Sequence, residues 1–444
     1  MKKHIALLAL AAFTHAGAQA ATFVVDATAD LIDPTPGDNI CGTGAAGTCS
    51  LRAAIMEANA LAGADTITLP AGTFTLTRVP APSNLLQITS DLTINGAGAG
   101  DSFIVASSGS GGDRIVLQIL GSPTVNLNNL AITGGTGAGA SYGGGLFIGG
   151  GTATLDHVVV HGNSAAGSST QQGGGIYVYE TATLHLIDSE VSGNTAPSGG
   201  GGIAVRQTGI ANITRSTITG NTMPHPGGSG GGIANNGTLN LTNSTVSGNT
   251  AVGAGGGISG GSGGTTTIRF STIAHNTTGA GNGQLSVFGA TAHISGSIVA
   301  NPVTGLNCRL QAGALVSGGN NLDSGTTCGF GAVGDIASAN PLLAPLAYAN
   351  SLPNQTHALL PGSPAINAGP TTDLPATDER GTPRVQMGRA DIGAYESALA
   401  PGAGPGNGGG VQAVPVDSPI ALALSALGLL GLALRGRHRL LLKK

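Results

Sequence analysis

The stretch GGGIANNGTLNLTNSTVSGN, residues 230–249, decides the fold because both of its halves recur along the chain. Its last nine residues end in Asn, and five such phrases end at Asn163, Asn194, Asn221, Asn249 and Asn276. A shorter echo, ISGSIVAN, ends at Asn301. The spacings between successive copies are 31, 27, 28, 27 and 25 residues. A period in this range predicts a solenoid, in which each repeat contacts mainly its neighbours.

The other half of the stretch is a glycine triplet followed by an aliphatic residue. Gly283-Gln284-Leu285 is a degenerate copy, and complete copies place the aliphatic residue at Leu146, Ile176, Ile203, Ile233 and Ile258. Each period thus offers three short extended pieces, with Leu239, Leu241 and Val246 at inward positions and a corner at Thr242-Asn243. Three strands in ~27 residues predict an all-β, right-handed parallel β-helix, with each strand ~4.8 Å from its copy one coil on.

The Asn that ends each phrase is predicted to stack on its counterpart in the next coil. Asn ladders exchange side-chain amide hydrogen bonds along such a stack, so the five Asn residues are structural. A leucine-rich-repeat horseshoe is the competing solenoid. Against it, the position of the second Leu is occupied by Ser189, Ser216, Ser244 and Ser271. The Gly-rich segment after each Asn also cannot form the outer helix of a horseshoe.

Composition excludes several classes of protein. Of 444 residues, 78 are Gly and only 38 are charged, and the net charge is −4. Disordered chains usually show high charge and low hydrophobicity, which is the opposite pattern. Lys occurs only at positions 2, 3, 443 and 444, so no basic stripe exists. Because nucleic-acid binding needs clustered cations, we expect no nucleic-acid partner.

Both ends of the chain carry signals for export. Residues 1–20 read as a signal peptide, with Lys2 and Lys3 before the apolar run Ile5 to Phe13, so the mature chain is expected to start at Ala21. A Gly/Pro linker, residues 398–413, leads into an apolar and then basic segment, residues 414–444. This layout predicts sorting with C-terminal processing and transient membrane contact. A plain membrane anchor is the alternative.

Export permits disulfides, and the four Cys residues fall into two local pairs. Cys41 with Cys49 would staple the N-terminal end, and Cys308 with Cys328 would staple a late coil. In a solenoid these pairs lie too far apart to converge on one metal ion. We therefore expect no metal and no cofactor.

The two ends of the solenoid should differ from its middle, because an open coil exposes apolar core and strand edges. Residues 21–65 are predicted to form an N-terminal cap with a short amphipathic helix over Ser50 to Leu61. Residues 66–335 are predicted to form the β-helix, and residues 336–397 a C-terminal cap.

Four parts of the chain resemble known families. Cys49-Ser-Leu-Arg-Ala-Ala54 resembles the CSLREA domain, although Ala53 stands where that motif has Glu. The region Asn340 to Glu396 resembles the choice-of-anchor Q domain, through PGSPAINAG, DERG and DIGAYE. Residues 414–444 resemble IPTL-type sorting signals of Gram-negative bacteria, and the coils resemble pectate-lyase-like repeats. The resemblance implies a secreted protein of the cell envelope or outer surface with no established activity.

Candidate chemistry is confined to the early coils, because no Asp or Glu occurs between Val191 and Leu322. Polysaccharide-cleaving enzymes generally rely on paired carboxylates or oxygen-ligated cations. Aligning the phrases places His157, Asp188 and Arg215 in one column. His161 and Glu190 occupy outward positions on the next strand. If this patch is an active site, Asp188 and Glu190 are the acid and base, and Arg215 neutralises a uronate.

A ligand-binding face is the second interpretation of the early coils, and a solvated ladder of cross-strand pairs is the third. Phe147 stacks with Tyr177 in the alignment, and Tyr179 with Arg206, so Tyr177, Tyr179, Arg206 and His161 are ligand-binding candidates. Later coils present Thr217, Thr219, Thr245, Ser247 and Thr272 as a flat hydroxyl surface of the kind that orders water.

We expect a non-enzymatic, exported envelope protein with a structural, adhesive or glycan-binding role. Its expected partners are a polysaccharide or surface glycan and the export and processing machinery. A polysaccharide lyase or glycoside hydrolase is the alternative. The charged residues between Asp373 and Glu396 are expected to form a salt-bridge network over the last coil rather than a metal site.

Overall fold

A computed structural model describes residues 20–78, 85–107, 115–137, 142–166, 169–348 and 353–400. The predicted signal peptide, apart from Ala20, and the segments after residue 400 lie outside the described residues. No described helix is both long and apolar enough to cross a bilayer.

Three long parallel sheets form the body of the protein, and each coil contributes one strand to each sheet. Sheet 1 contains the first strand of each coil, which in five coils follows a glycine triplet. Its nine strands are Leu86–Ile88, Leu117–Ile119, Leu146–Ile148, Ile176–Val178, Ile203–Val205, Ile233–Asn235, Ile258–Gly260, Gly283–Phe288 and Leu306–Gln311.

Sheet 2 contains the middle strand of each coil. Its eleven strands are Thr22–Val24, Asp65–Leu69, Leu92–Gly96, Thr124–Asn128, Thr152–Asp156, Thr183–Ile187, Ile210–Thr214, Thr238–Thr242, Thr265–Arg269, Thr291–Ser295 and Ala314–Ser317.

Sheet 3 contains the strand before each terminal Asn. Its eleven strands are Gly72–Leu76, Ser102–Ala106, Ala131–Thr133, Val159–His161, Glu190–Ser192, Thr217–Thr219, Thr245–Ser247, Thr272–Ala274, Ile298–Ala300, Leu322–Asp323 and Ile336–Ala337. Shorter pairs are Thr136–Gly137 with Ser164–Ala165, Thr222–Met223 with Thr250–Ala251, and the antiparallel Ala347–Tyr348 with Gln355–Thr356.

Every strand in the three sheets pairs in parallel with its counterpart one coil away, which confirms the predicted parallel β-helix. The solenoid has about nine turns of ~28 residues. Apolar side chains from the three sheets point inward and form one continuous core. The predicted inward residues Leu239, Leu241 and Val246 are all fully buried, and Asn243 takes the predicted corner with φ of 48°.

The predicted Asn ladder runs along the buried turn after sheet 3. The side-chain amide of Asn194 donates to Oδ1 of Asn221 over 3.0 Å, and the backbone N–H of Asn194 donates to the same oxygen. The amide also donates to the carbonyl of Val160 in the preceding coil. The same pattern joins Asn163, Asn221, Asn249 and Asn276. Each amide therefore satisfies backbone groups of the preceding coil and bonds to the side-chain amide of the next coil.

The ladder does not continue through Asn301, although that residue ends the last echo of the phrase. The amide of Asn276 instead donates to Oε1 of Gln284, from the degenerate glycine copy. Gln284 donates to Asn307, and Asn307 donates to the buried carboxylate of Asp323. The longer Gln side chain reaches the ladder from the first strand of its coil, so the coil ending at Asn301 needs no Asn in the stack.

A second ladder lies at the corner between sheets 2 and 3. The backbone N–H of Ser189 donates to Oγ of Ser216, and the pattern repeats along Ser244, Ser271 and Ser297. It ends where the N–H of Ser297 meets Asn321 and the N–H of Asn321 meets a carboxylate oxygen of Asp335. The Ser residues that argue against a leucine-rich repeat are thus structural elements of the β-helix.

The glycine triplets are required by the Asn ladder and by the close approach of coils. Gly200 has φ of 61°, a left-handed conformation that favours glycine. A Cβ atom on Gly201 would lie 2.4 Å from the carbonyl oxygen of Gly231 in the next coil. A Cβ atom on Gly202 would lie 2.9 Å from the ladder amide of Asn221. The triplet and the Asn phrase therefore recur together for a steric reason.

The N-terminal end of the core is covered by the helix α1, Leu51–Ala60. Ser50 caps it, since its Oγ accepts from the N–H of Ala53. Arg52 pairs with Asp30 over 2.6 Å, and Glu57 accepts from the N–H groups of Gly37 and Asn39. The disulfide Cys41–Cys49 fastens the preceding loop, as predicted. Ala53, which stands where the resembled motif has Glu, is fully buried.

The C-terminal region lies along the side of the solenoid rather than over the end of the last coil. We call residues 340–348 and 353–400 the strap. Its contacts with the outer face of sheet 3 extend from Glu190 to Leu322, across several coils. The second predicted disulfide, Cys308–Cys328, is also present, and both of its cysteines are buried in the main core near the last coil.

Asn221→Ala should lower the free energy of unfolding by about 3 kcal/mol, because it leaves several buried donors and acceptors without partners. Asn240→Ala is the matched control, since Asn240 lies on the outer face of sheet 2 and loses one partly exposed bond to Asn212. Its expected cost is about 0.5 kcal/mol. Denaturant unfolding followed by circular dichroism measures both values. Equal costs for the two variants would contradict a structural role of the buried ladder.

Candidate functional site

The column that contains His157, Asp188 and Arg215 is a left-handed corner between sheets 2 and 3. These residues, and also Asn129, Asn243 and Phe270, have φ between 46° and 56°. Each of these residues lies just before the residue that leads into a strand of sheet 3. The corner turns the side chains away from the core, so the chemistry of this column varies from coil to coil while the backbone stays the same.

Asp188 and Arg215 form a two-pronged ion pair across adjacent coils. Nε and a terminal nitrogen of Arg215 donate to the two carboxylate oxygens of Asp188 over 2.8 and 2.6 Å. These hydrogen bonds raise the pKa of the Arg215 guanidinium. His157 lies beside this pair, but its Nδ1 contacts Asp156 over 2.6 Å. Both oxygens of Asp188 are therefore occupied.

Glu190 does not join Asp188 in an accessible site, which corrects the proposed acid–base pair. Its side chain does point away from the core, as predicted, but the strap covers it and leaves it 2% exposed. The side chain of Gln355 donates to Glu190 over 3.1 Å. Burial raises the pKa of the Glu190 carboxyl. The sequence pattern could not show this, because Gln355 lies 165 residues away along the chain.

A metal ion is also poorly accommodated at this corner. Donor atoms of Asp156, His157 and Asp188 lie within 4.8 Å of one another. The guanidinium of Arg215, however, already binds both oxygens of Asp188 and places a positive charge beside the group. A dication would have to displace that charge or lie against it.

The hydroxyl surface predicted on the later coils is not a solvent surface. Thr217, Thr245 and Thr272 are each no more than 1% exposed because the strap lies on them. Thr245 donates to Glu379 over 2.5 Å, and Thr272 accepts from the N–H of Ala394 over 3.0 Å. An array that orders bulk water is therefore excluded at these positions.

An aromatic cluster lies on the early coils of sheet 1. The rings of Phe147 and Tyr177 stack at 5.8 Å with an interplanar angle of 8°, as the alignment predicts. The ring of Tyr142 also stacks on that of Tyr177, with centroids 4.7 Å apart. Tyr179 lies 6.4 Å from Tyr177 and 6.2 Å from Phe147. These four of the thirteen aromatic residues in the chain thus form one surface patch.

The patch has a buried base and an accessible rim. Tyr177 is 1% exposed, whereas Tyr179 is 40% exposed and Tyr142 and Phe147 are half-buried. Burial raises the pKa of Tyr177, so its hydroxyl stays protonated at neutral pH. Arg206 lies one coil after Tyr179, and its buried Nε has no hydrogen-bond partner among the described residues. The rim can offer ring faces, hydroxyl groups and one cation.

His161 is separate from this patch, because it lies on sheet 3 while the tyrosines lie on sheet 1. Burial lowers the pKa of His161. Tyr142 was missed by the repeat alignment, since it precedes the glycine triplet rather than lying on a strand. Its sequence signal was its position directly before the glycine triplet that begins at Gly143.

Comparison with known proteins agrees with this architecture. A family model described as right handed beta helix region matches residues 93–266 and 144–327, which together span more than half of the chain. The chain belongs to this family of right-handed β-helix proteins. The crystal structure of pectate lyase Pel9A is similar at a TM-score of 0.43 and 14% identity, covering 86% of this chain and 97% of that chain. No curated protein matches the sequence significantly.

The Asp188–Arg215 pair should contribute a measurable coupling energy. A double-mutant cycle of Asp188→Asn and Arg215→Gln is expected to give about 1 kcal/mol, after discounting for screening of the partly exposed Arg215. The pair Arg269–Asp373 is the control, because its carboxylate is 84% exposed. A cycle there should give less than ~0.5 kcal/mol. Unfolding free energies measure both cycles, and equal couplings would contradict the burial argument.

Proposed function

We propose that this protein is an exported surface β-helix that binds glycan through the aromatic cluster of sheet 1 and does not cleave it. The observation that carries the proposal is the stack of Tyr142, Tyr177, Phe147 and Tyr179 on adjacent coils. Aromatic faces give large contact areas with little loss of side-chain entropy, and they suit the apolar faces of sugar rings.

The position of the cluster favours an extended ligand. Phe147 and Tyr177 are direct neighbours in the register of sheet 1, so their rings repeat along the solenoid axis. Tyr142 and Tyr179 both contact Tyr177 and extend this platform beyond the Phe147–Tyr177 pair. A sugar chain lying along the axis would meet the exposed ring of Tyr179 and the half-buried rings of Phe147 and Tyr142, with the buried Tyr177 beneath them. The guanidinium of Arg206 at the edge of the platform would donate to sugar hydroxyl or carboxylate oxygens.

The arrangement of carboxylates argues against cleavage. Glycoside hydrolases place two carboxyl groups across a scissile bond, and the two candidates here are Asp188 and Glu190. Asp188 is bound on both oxygens by Arg215, and Glu190 lies beneath the strap. Neither carboxyl belongs to the aromatic platform, which lies on another sheet. Catalysis would require release of Asp188 from Arg215 and removal of the strap from Glu190.

Export and surface location are part of the same proposal. The two disulfides fit an oxidising compartment, and the predicted signals at both ends supply a route through export and C-terminal processing machinery. The resemblance to secreted envelope families supports a structural or adhesive role there, in which a rigid solenoid presents a binding patch.

The test is a screen of the purified full chain against neutral and acidic polysaccharides, with binding and product release measured in the same samples. Tyr179→Ala should weaken binding about three- to tenfold, because one exposed aromatic contact is worth about 0.5–1.5 kcal/mol. Val252→Ala is the control, since Val252 is an exposed apolar residue, 47% accessible, on a later coil. Its binding should match that of the unchanged protein.

Two outcomes would overturn the proposal. Equal binding by Tyr179→Ala and the unchanged protein would remove the aromatic platform from the site. Release of oligosaccharides that is lost in Asp188→Asn would instead support a polysaccharide lyase or glycoside hydrolase.

A further inference from the structure

The corner between sheets 1 and 2 carries a column of accessible residues, which we call the corner column. In coil order it contains Tyr179, Arg206, Asn236, Gly261, Phe288 and Gln311. None of these residues is buried, whereas the neighbouring outward residues of sheet 1 on the later coils are buried, as at Ala204 and Ser286. Successive members of the column lie one strand spacing apart, ~4.8 Å.

The corner column continues the rim of the aromatic cluster with polar groups. Arg206 follows Tyr179 by one coil, and its buried Nε has no hydrogen-bond partner among the described residues. Asn236 follows in the next coil. Its side-chain oxygen lies over Gly261, where a Cβ atom would come within 2.0 Å of it. The half-buried amide thus points along the solenoid axis toward the later coils and can exchange hydrogen bonds with hydroxyl groups.

A groove of about 420 Å³ follows at the same corner. It is lined by residues 263–265, 289–291 and 312–314, which form the turns after the last three strands of sheet 1. All nine are Gly, Ala or Thr, so none is charged and none has a side chain longer than that of Thr. Because Thr265, Thr291 and Ala314 are paired across adjacent coils, the groove runs along the solenoid axis.

Phe288 places a second aromatic side chain at the edge of this groove. It is half-buried, and Gly289, directly after it, belongs to the groove lining. Phe288 lies four coils after Tyr179 in the corner column, which corresponds to ~19 Å. The guanidinium of Arg206 and the amide of Asn236 lie between the two aromatic residues. Two aromatic contacts are thus joined by hydrogen-bonding groups along one line.

We propose that the glycan bound by the aromatic cluster is a neutral, linear polysaccharide whose chain continues from Tyr179 along the corner column into the groove beside Phe288. This inference rests on the proposed function and adds to it a second contact region and a chain length. An extended sugar chain advances by roughly one strand spacing, ~4.8 Å, for each ring. A chain that reaches from Tyr179 to Phe288 therefore has about five rings.

The charges along this line favour a neutral chain over a polyuronate. Arg206 is the one charged residue of the corner column and the groove lining. A polyuronate would carry a carboxylate on each ring, so most of its charges would lie beside uncharged groups. Glu180, exposed directly after Tyr179, adds a negative charge that repels such a chain. Hydroxyl groups of a neutral chain can instead bond to Arg206, to Asn236 and to the threonines of the groove.

Chain length is tested with linear oligomers of two to eight rings. The neutral series is β-1,4-linked glucose and the acidic series is α-1,4-linked galacturonate, each titrated into the purified full chain by isothermal titration calorimetry. In the neutral series the affinity should rise about three- to tenfold once the oligomer exceeds about five rings, because Phe288 then adds an aromatic contact. The acidic series should bind more weakly at every length.

Variants of the distal region separate it from the aromatic cluster. Phe288→Ala removes the second ring, and Thr291→Leu fills the groove. Each should weaken binding of oligomers longer than about five rings about three- to tenfold, and leave binding of two- and three-ring oligomers unchanged. Unchanged binding of the short oligomers also shows that the variants are folded. Thr124→Leu is the matched control, because Thr124 occupies the column of Thr291 on an early coil, outside the groove.

Tyr179→Ala distinguishes a failure of this inference from a failure of the proposed function. It should weaken binding of short and long oligomers alike. If it does so while neither distal variant changes the affinity for long oligomers, the cluster binds glycan and the extension into the groove is wrong. Tighter binding of the acidic series also overturns the inference. Absence of binding in both series overturns the proposed function and the inference together.

Discussion

The hydrogen-bonded stack of buried amides, one in each coil, is the constraint on which the rest of the molecule depends. Each Asn side chain satisfies backbone groups of the preceding coil and donates to the side-chain amide of the next coil, so coils cannot slide without leaving buried polar atoms unpaired. The same stack requires glycine beside it, as the contact between Gly202 and Asn221 shows. Once turns are fixed in this way, the three sheets follow in a single register.

The three sheets of this rigid solenoid differ in how much of their outer face is exposed. Strap residues cover sheet 3 from Glu190 onward. On the later coils of sheet 1 the outward residues, such as Ala204 and Ser259, are buried at 1% and 3% exposure. Sheet 2 stays partly exposed throughout. The aromatic cluster lies on the early coils of sheet 1, where ring faces such as that of Tyr179 remain accessible. Accessibility, rather than the repeat, distinguishes the proposed binding surface.

The sequence period was sufficient to predict the structure within the repeats, but not the contacts that distant segments make with them. Neighbouring coils repeat the same contacts, so the local pattern predicts inward residues such as Leu241 and the corner at Asn243. It also predicts both disulfides, because each joins cysteines that are close in the sequence. Tyr177 and Phe147 were found by the same alignment. Glu190 was misjudged because its environment comes from Gln355, and Gln284 enters the ladder from a position that an alignment on Asn does not include. Contacts between segments that are far apart in the sequence do not repeat from coil to coil, so a repeat alignment cannot predict them.

The ladders also have a direction. Along the Asn ladder the side-chain amides, and along the Ser ladder the backbone N–H groups, donate toward the C-terminal end, so the last member must be a group that only accepts. Asp323 and Asp335 end the ladders in this way, because their carboxylate oxygens accept the last hydrogen bonds. The sequence thus contains a first coil, a unit that can be repeated, and a terminal acceptor that ends the stack. Duplication of a whole internal coil preserves every donor–acceptor match. Insertion of further coils during evolution is therefore chemically simple between Asn163 and Asn276. Beyond Asp323 the ladder has ended in an acceptor and is not extended.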